Sequence, residues 1–152
     1  MPSVGFRLAT AADLPALLRL LVDDAVAQAR GGYTAEVTPA VAAAFDEIGR
    51  DPNNELWLGE RDGEVVALLQ LTLIPGLSRG GMKRALVEAV RVRADLRGQR
   101  IGEALMAHVE QRAKAAGCGL IQLTTDRQRL DAHRFYERLG YVASHVGMKK
   151  KL

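Results

Sequence analysis

At 152 residues the chain has the length of one ordinary domain, taken here as residues 1–152. Apolar residues make up 48% and charged residues 26%, a balance that excludes a disordered or low-complexity chain. The net charge of +3 is too small an excess to argue for nucleic acid, and Lys149-Lys150-Lys151 reads as a solvated tail.

In chain order, residues 4–8 (VGFRL) read as a short strand. Thr10 and Asp13 then have the spacing of a capping box, ahead of Leu14, Leu17, Leu18, Leu21 and Val22 at helical period. This helix is expected to run to about Ala29, before Arg30-Gly31-Gly32. Thr38-Pro39 opens a second helix, with Val41, Phe45 and Ile48 as its apolar face, ending near Gly49. Glu55–Glu60 and Glu64–Ile74 read as a hairpin around Asp62-Gly63. A glycine-rich loop follows, then a strand from about Lys83 to Arg93. Regular alternation there puts Leu86, Glu88, Val90 and Val92 on one face, and Val87, Ala89, Arg91 and Arg93 on the other. A long helix is expected from Ile101 to Ala116, ended by Gly117. Next come a strand at Leu120–Thr124, a short helix at Ala132–Leu139 capped by Asp131, and a last strand at Tyr141–Met148. The order implies an α/β fold, a mixed central sheet with helices on both faces.

The most apolar stretch, Val65–Ile74, contains Gln70 and Thr72 and has strand length, so no transmembrane helix is expected. The first residues lack the pattern of a secretory signal. Cys118, the one cysteine, reads as an inert core thiol, and these features together favour the cytoplasm. The three histidines lack ligand-like spacing, so no metal site is expected.

The strongest local signal is Arg97-Gly98-Gln99-Arg100-Ile101-Gly102, between a strand and a long helix. Glycines permit close backbone approach, and the free N–H groups of a helix start suit phosphate oxygens. Arg91, Arg93, Arg97 and Arg100 surround the turn with positive charge. It matches neither a nucleotide-triphosphate loop nor a G-x-G-x-x-G fingerprint. Spacing alone leaves open a helix start that merely needs glycine.

The wider run from Val90 to Met106 resembles the acetyl-CoA motif of the GCN5-related N-acetyltransferase superfamily. That motif is Arg or Gln, two residues, Gly, one residue, then Gly or Ala. Arg97 and Gly102 fill its ends, and Arg100 stands where the middle glycine usually is. Asp131–Tyr141 resembles the family's later helix and following strand, with Tyr136 at the position of a tyrosine near the cofactor sulfur. The resemblance implies an acyl-CoA N-acyltransferase fold and acetyl-CoA as acyl donor. The backbone around Val90, Arg91 and Val92 would then pair with the pantetheine arm. Arg97, Gly98, Gln99, Arg100, Ile101, Gly102 and Glu103 would hold the pyrophosphate, with the flanking strands splayed to form the cleft.

Acyl transfer to an amine needs a neutral amine, a polarised thioester and a stabilised leaving thiolate. Glu88, in an apolar strand, is the candidate base on the expectation that burial raises its pKa. Tyr136 is the candidate acid and a cofactor contact. Tyr33, Glu36, Glu88, Asp126 and His145 are candidates for binding the acceptor, and the two glutamates mildly favour a cationic one. Trp57 reads as core, and His108 and His133 as packing. The leading reading is an N-acetyltransferase that acts on a primary amine of a small molecule by direct transfer in a ternary complex. The alternatives are a protein or peptide amine acetyltransferase, a non-catalytic acyl-CoA-binding or regulatory module of the same fold, and an unrelated phosphate binder. Neither nucleic acid nor a membrane is an expected partner. Val142–Met148 could serve a homodimer.

Overall fold

The computed structural model describes residues 3–152. Five strands form one sheet in the order β1-β2-β3-β4-β5: β1 is Gly5–Leu8, β2 Asn54–Arg61, β3 Glu64–Ile74, β4 Lys83–Val92 and β5 Cys118–Leu123. The first three pairings are antiparallel and β4–β5 is parallel, so the sheet is mixed. Among the described residues six α-helical segments accompany it: α1 Leu14–Val22, α2 Ala25–Arg30, α3 Pro39–Arg50, the single turn α4 Ser78–Gly81, α5 Ile101–Ala115 and α6 Leu130–Arg138. No helix among the described residues is long and apolar enough to cross a membrane.

β3 is apolar on both sides because both sides are covered. Ala67, Leu69, Leu71 and Leu73 pack with Ile101, Leu105, Met106, Val109 and Ala113 of α5. On the opposite face Leu68 and Leu58 meet Leu17 and Leu20 of α1. The β2–β3 turn takes the two-residue form expected of Asp62-Gly63, with φ of 53° and 77°, the mirror-image geometry that suits strand twist.

Three expectations are corrected. The first helix does not continue to Ala29. It stops at Val22, and α2 restarts at Ala25 with Asp24 as its cap, the carboxylate accepting from the Val26 N–H at 3.0 Å. The last strand is absent, because residues 141–152 contain no strand. Instead the Tyr141 N–H donates to the Tyr136 carbonyl, and Ser144 N–H closes a tight turn on Val142 O. That turn, followed by Gly147, interrupts the extended run a strand would need. Finally, α6 starts at Leu130, one residue before the Asp131 expected to cap it. The Arg129 N–H closes a turn on Asp126 O at 3.0 Å, which starts the helix early.

β4 carries the feature that shapes the site. Leu68 pairs with Arg91 and Gln70 with Glu88, so Ala89 and Val90 together face Leu69. This is a β-bulge, and Ala89 takes φ of 54° within it. The bulge breaks the regular alternation expected for the strand. Ala85 and Val87 before it, and Val90 and Val92 after it, all belong to the α5 side. Leu86, Glu88 and Arg91 are left on the α1 side.

Candidate active site

Beyond the bulge, β4 and β5 part company. Their last pair is Val87 with Leu123, and residues 88–92 have no partner on the β5 side. The parted strands open a cleft, and the start of α5 closes one end of it.

A one-turn 3-10 helix, Ala94–Leu96, leads into the glycine turn. Gly98 has φ of +80°, and a Cβ added there would meet no protein atom within 4 Å. Arg100 caps α5 with φ 62° and ψ 18°, so the residue standing in place of the usual glycine adopts the left-handed conformation glycine favours. Its side chain does not cap the helix but pairs with Glu103 at 2.7 Å, which holds the Glu103 carboxyl below its ordinary range. Among the described residues, the N–H groups of Gln99 through Glu103 donate to no acceptor in the chain. Several free N–H groups at a helix start form an anion site. The Gln99 side chain is tied to β2 by Arg61 Nη1, which donates to its Oε1 at 3.0 Å. Arg97 reaches the other way, its Nη2 donating to Asp23 O at 3.4 Å.

α6 leans on this turn. Phe135 Cζ lies 3.4 Å from where a Gly102 Cβ would sit. Tyr136 packs between Phe135 and Tyr141, with ring centroids 5.0 and 5.7 Å away. Burial pushes the Tyr136 hydroxyl pKa up, and the charges of Arg91 and Arg129 partly oppose this. The hydroxyl therefore stays protonated at neutral pH, and within the described residues it makes no hydrogen bond.

The structure adds a charged cluster that sequence reasoning missed. Asp24, with only 8% of its side chain exposed, receives Arg91 Nη2 at 3.1 Å and an ion pair from Arg129. Burial alone would raise the Asp24 pKa, but Arg129 and Arg91 outweigh it and hold the carboxylate charged. Arg91 Nη1 donates to Val90 O at 2.9 Å, while its Nε–H is buried without a partner. Burial lowers the Arg91 pKa, and the hydroxyls of Tyr33 and Tyr136 lie near enough to bear on its charge. One sequence signal was available for Asp24: the pair Asp23-Asp24 interrupts an otherwise leucine-rich helical run. Arg129 had none, because its partner is 105 residues away.

The remaining candidates are placed as follows. Glu88 sits just before the bulge and is exposed, so the burial expected to tune it is absent. Tyr33, 38% exposed, lies in the loop after α2 beside Arg91. Asp126 pairs with Arg30 at 3.0 Å and accepts from the Gln128 N–H, which tie the loop after β5 to the end of α2. Glu36 is exposed, and among the described residues its carboxylate makes no hydrogen bond or ion pair. His145 is exposed in the strandless tail, where Ser144 Oγ is 2.7 Å from its Nδ1. Ion pairs thus join Arg91 of β4 and Arg129 from the loop after β5 to Asp24, with Tyr33 and Tyr136 near Arg91, and Glu36 and His145 do not join them. The cluster sets two arginines against one aspartate, which removes the basis for favouring a cationic acceptor.

Comparison with known proteins agrees with this geometry. The family model described as the acetyltransferase (GNAT) family matches residues 16–141. An aminoalkylphosphonate N-acetyltransferase of Salmonella typhimurium is 41% identical over 102 residues, which is 67% of this chain and 66% of that protein. A glucosamine 6-phosphate N-acetyltransferase of Trypanosoma brucei brucei is 30% identical over 90 residues, 59% of each chain. The matches therefore span just under two thirds of the first relative's length and 59% of the second's. A crystal structure from Bacillus halodurans, described as a transcriptional regulator, superposes with a TM-score of 0.93 at 44% identity and covers 99% of this chain and all of that one. With a family model spanning most of its length, this chain belongs to the acetyltransferase (GNAT) family.

Proposed function

We propose that the chain is an N-acetyltransferase that passes the acetyl group of acetyl-CoA directly to a primary amine of a small molecule, with both held in one ternary complex. The observation that carries this reading is the parting of β4 and β5 after Val87 and Leu123, closed at one end by the unpaired N–H groups of Gln99–Glu103. These features fit the donor. A pyrophosphate needs free N–H groups and positive charge without crowding. The turn offers the first, Arg97 and Arg100 the second, and the open space at Gly98 the third. The unpaired β4 edge at Val90–Val92 suits an amide-bearing arm lying alongside it as an extra strand. Acetyl-CoA supplies a thioester, an acetyl group already activated for transfer.

The chain's own residues then have three tasks. Fixing both reactants in one cleft makes the attack effectively unimolecular. Glu88, at the bulge and open to solvent, takes the proton that the acceptor's ammonium must lose before the neutral amine can attack, directly or through water, and releases it to solvent. Tyr136, kept protonated by burial, donates to the departing sulfur. A carbon–nitrogen bond forms, the carbon–sulfur bond breaks, and one proton passes from amine to thiol. The reading places the protein in the cytoplasm, where Cys118 would remain a free thiol.

A small-molecule acceptor is supported by the two curated relatives, whose names each specify a compact molecule bearing an amine and a phosphorus oxyanion. A second reading, a non-catalytic regulatory module, draws on the Bacillus halodurans protein described as a transcriptional regulator. Thiol release from acetyl-CoA, read over a panel of small amines and lysine peptides with mass spectrometry of the product, decides between them. An acetylated small amine supports the enzyme. Acetyl-CoA binding with no turnover across the panel favours the module, and turnover of peptides alone overturns the small-molecule acceptor.

A further inference from the structure

We infer that Arg91 and Arg129, held against Asp24, form the seat for an oxyanion that the acceptor carries beside its amine. This deepens the acyl-transfer reading and rests on it.

The charge count comes first. Two guanidiniums converge on one carboxylate, so the cluster has a net charge of +1 in a place where all three side chains are largely buried, at 14%, 23% and 8% exposed. An excess buried charge is destabilising unless something completes it. One further negative charge would do so.

The hydrogen-bond count agrees. A guanidinium has five N–H donors. Arg91 spends one donor on Val90 O, forms an ion pair with Asp24, and has its Nε–H buried and unspent. Within the described residues Arg129 donates only to Asp24, through Nη2. A buried donor left unsatisfied is unfavourable, and an oxyanion has the several acceptors these groups lack.

Position identifies the ligand as the acceptor. Arg91 lies in the unpaired stretch of β4 and donates to Val90 O, on the edge assigned to the donor's arm, and the charges of both arginines bear on the Tyr136 hydroxyl, the proposed acid. The phosphates of the donor are provided for elsewhere, at the start of α5. Asp24 is then the pair's internal counter-ion. It keeps both guanidiniums charged and aimed, and as the cap of α2 it links their position to that short helix. α2 is also held at its far end by Arg30 with Asp126, so both ends of this six-residue helix are fixed by charged side chains. Because the seat is beside the reacting centre, the acceptor is a short molecule in which a few bonds separate amine from oxyanion.

The test uses three amines matched in length: 2-aminoethylphosphonate, β-alanine and propylamine. Each is assayed for transfer, and separately for binding by calorimetry. The first two carry an oxyanion and the third does not, and comparing the first two distinguishes phosphonate from carboxylate. The wild-type protein should prefer one or both anionic amines over propylamine in kcat/KM. Arg129→Gln should reduce that preference by about ten- to a hundredfold, the worth of a charge-assisted contact. Arg129→Lys should restore part of it, and acetyl-CoA affinity should hold in both variants. Arg129 is chosen over Arg91 because it is the more exposed, and melting curves confirm that each variant folds. A purely structural Arg129 would reduce turnover of all three amines alike and leave the ratio intact, which would overturn the inference. Turnover of propylamine as fast as the anionic amines would also overturn it while leaving acyl transfer standing. Binding of 2-aminoethylphosphonate that Arg129→Gln abolishes, with no transfer to any amine, would uphold the seat and remove the catalytic reading.

Discussion

Gly98 and Gly102 stand four residues apart in one turn, yet alanine should act in opposite directions at the two. At Gly98 φ is +80°, and the new methyl would meet nothing within 4 Å. The penalty is then purely conformational, about 1–2 kcal/mol for an L-residue in left-handed geometry. Alanine's narrower unfolded ensemble returns about 0.5 kcal/mol of that. Gly98→Ala should therefore lose about 1 kcal/mol, or about 2–4 °C in Tm for a chain of this length. At Gly102, inside α5, the Cβ would lie 3.4 Å from Phe135 Cζ and 3.6 Å from Val92 Cγ2, ordinary contacts with no positive φ. Helix propensity there favours alanine by up to about 1 kcal/mol, so Gly102→Ala should keep or raise stability. Urea denaturation measures both, and titration with acetyl-CoA adds a second readout. The Gly98 methyl points into the open space assigned to phosphate, so that variant should weaken binding while Gly102→Ala retains it. The reasoning fails if Gly98→Ala is as stable as the parent, or if Gly102→Ala loses more than about 1 kcal/mol, the typical effect of a destabilising substitution.

Further outcomes can be checked in the same way. Gly59→Ala places a Cβ 3.0 Å from Val4 Cγ1 and 3.1 Å from Ala67 Cβ, so it should destabilise by about 1–3 kcal/mol; Val4→Ala in the same chain should recover part of the loss. Asp13 is held down at about 2 from its ordinary 3.8, chiefly by hydrogen bonds from Arg7, with Thr10 adding its own. A depressed carboxylate stabilises the fold above its unfolded pKa, so this contribution should be complete above about pH 4 and disappear between about pH 4 and 2. It is at most about 2.5 kcal/mol, less screening at the half-exposed Arg7. Melting curves of Asp13→Asn and the parent should converge as pH falls through that window. Tyr136→Phe should reduce kcat by about a hundredfold or more if the hydroxyl protonates the leaving sulfur; an unchanged kcat would remove it from the reaction.

The parts of the fold legible in the sequence are those written in neighbouring residues. Glu64–Ile74 was bounded correctly because Asp62-Gly63 fixes one end and Pro75 follows the other. Ile101–Ala115 was found to within a residue because a glycine turn and Gly117 bracket a clear apolar period. The proposed site divides along the same line. Gln99–Glu103 and Tyr136 could be picked out because their motifs are contiguous. Arg129 could not, since its pairing with Asp24 spans 105 residues, and the one signal at Asp24, a break in a leucine-rich run, names no partner. Val142, Val146 and Met148 alternate as a strand would, yet all three are more than 70% exposed and no strand among the described residues pairs with them. Alternation records which face could be buried, and only a neighbouring strand supplies the hydrogen bonds.

The bulge at Ala89 ties the two halves of the site together. Unbroken alternation along β4 would place Arg91 on the same face as Val87, against the buried residues of α5, and would send Val90 and Val92 to the other side. No anion seat could form, because a guanidinium would sit in the apolar core. One extra residue reverses that assignment for everything after it. Val90 and Val92 return to the α5 side, Arg91 swings to meet Asp24, and the pairing with β5 lapses at the same level of the sheet. The positive φ at Ala89 is the local strain that accompanies this shift. The parting of the strands and the arginine pair therefore arise from one irregularity, which alternation cannot show because it assumes a regular strand, whereas the glycine turn is a contiguous motif and is legible without it.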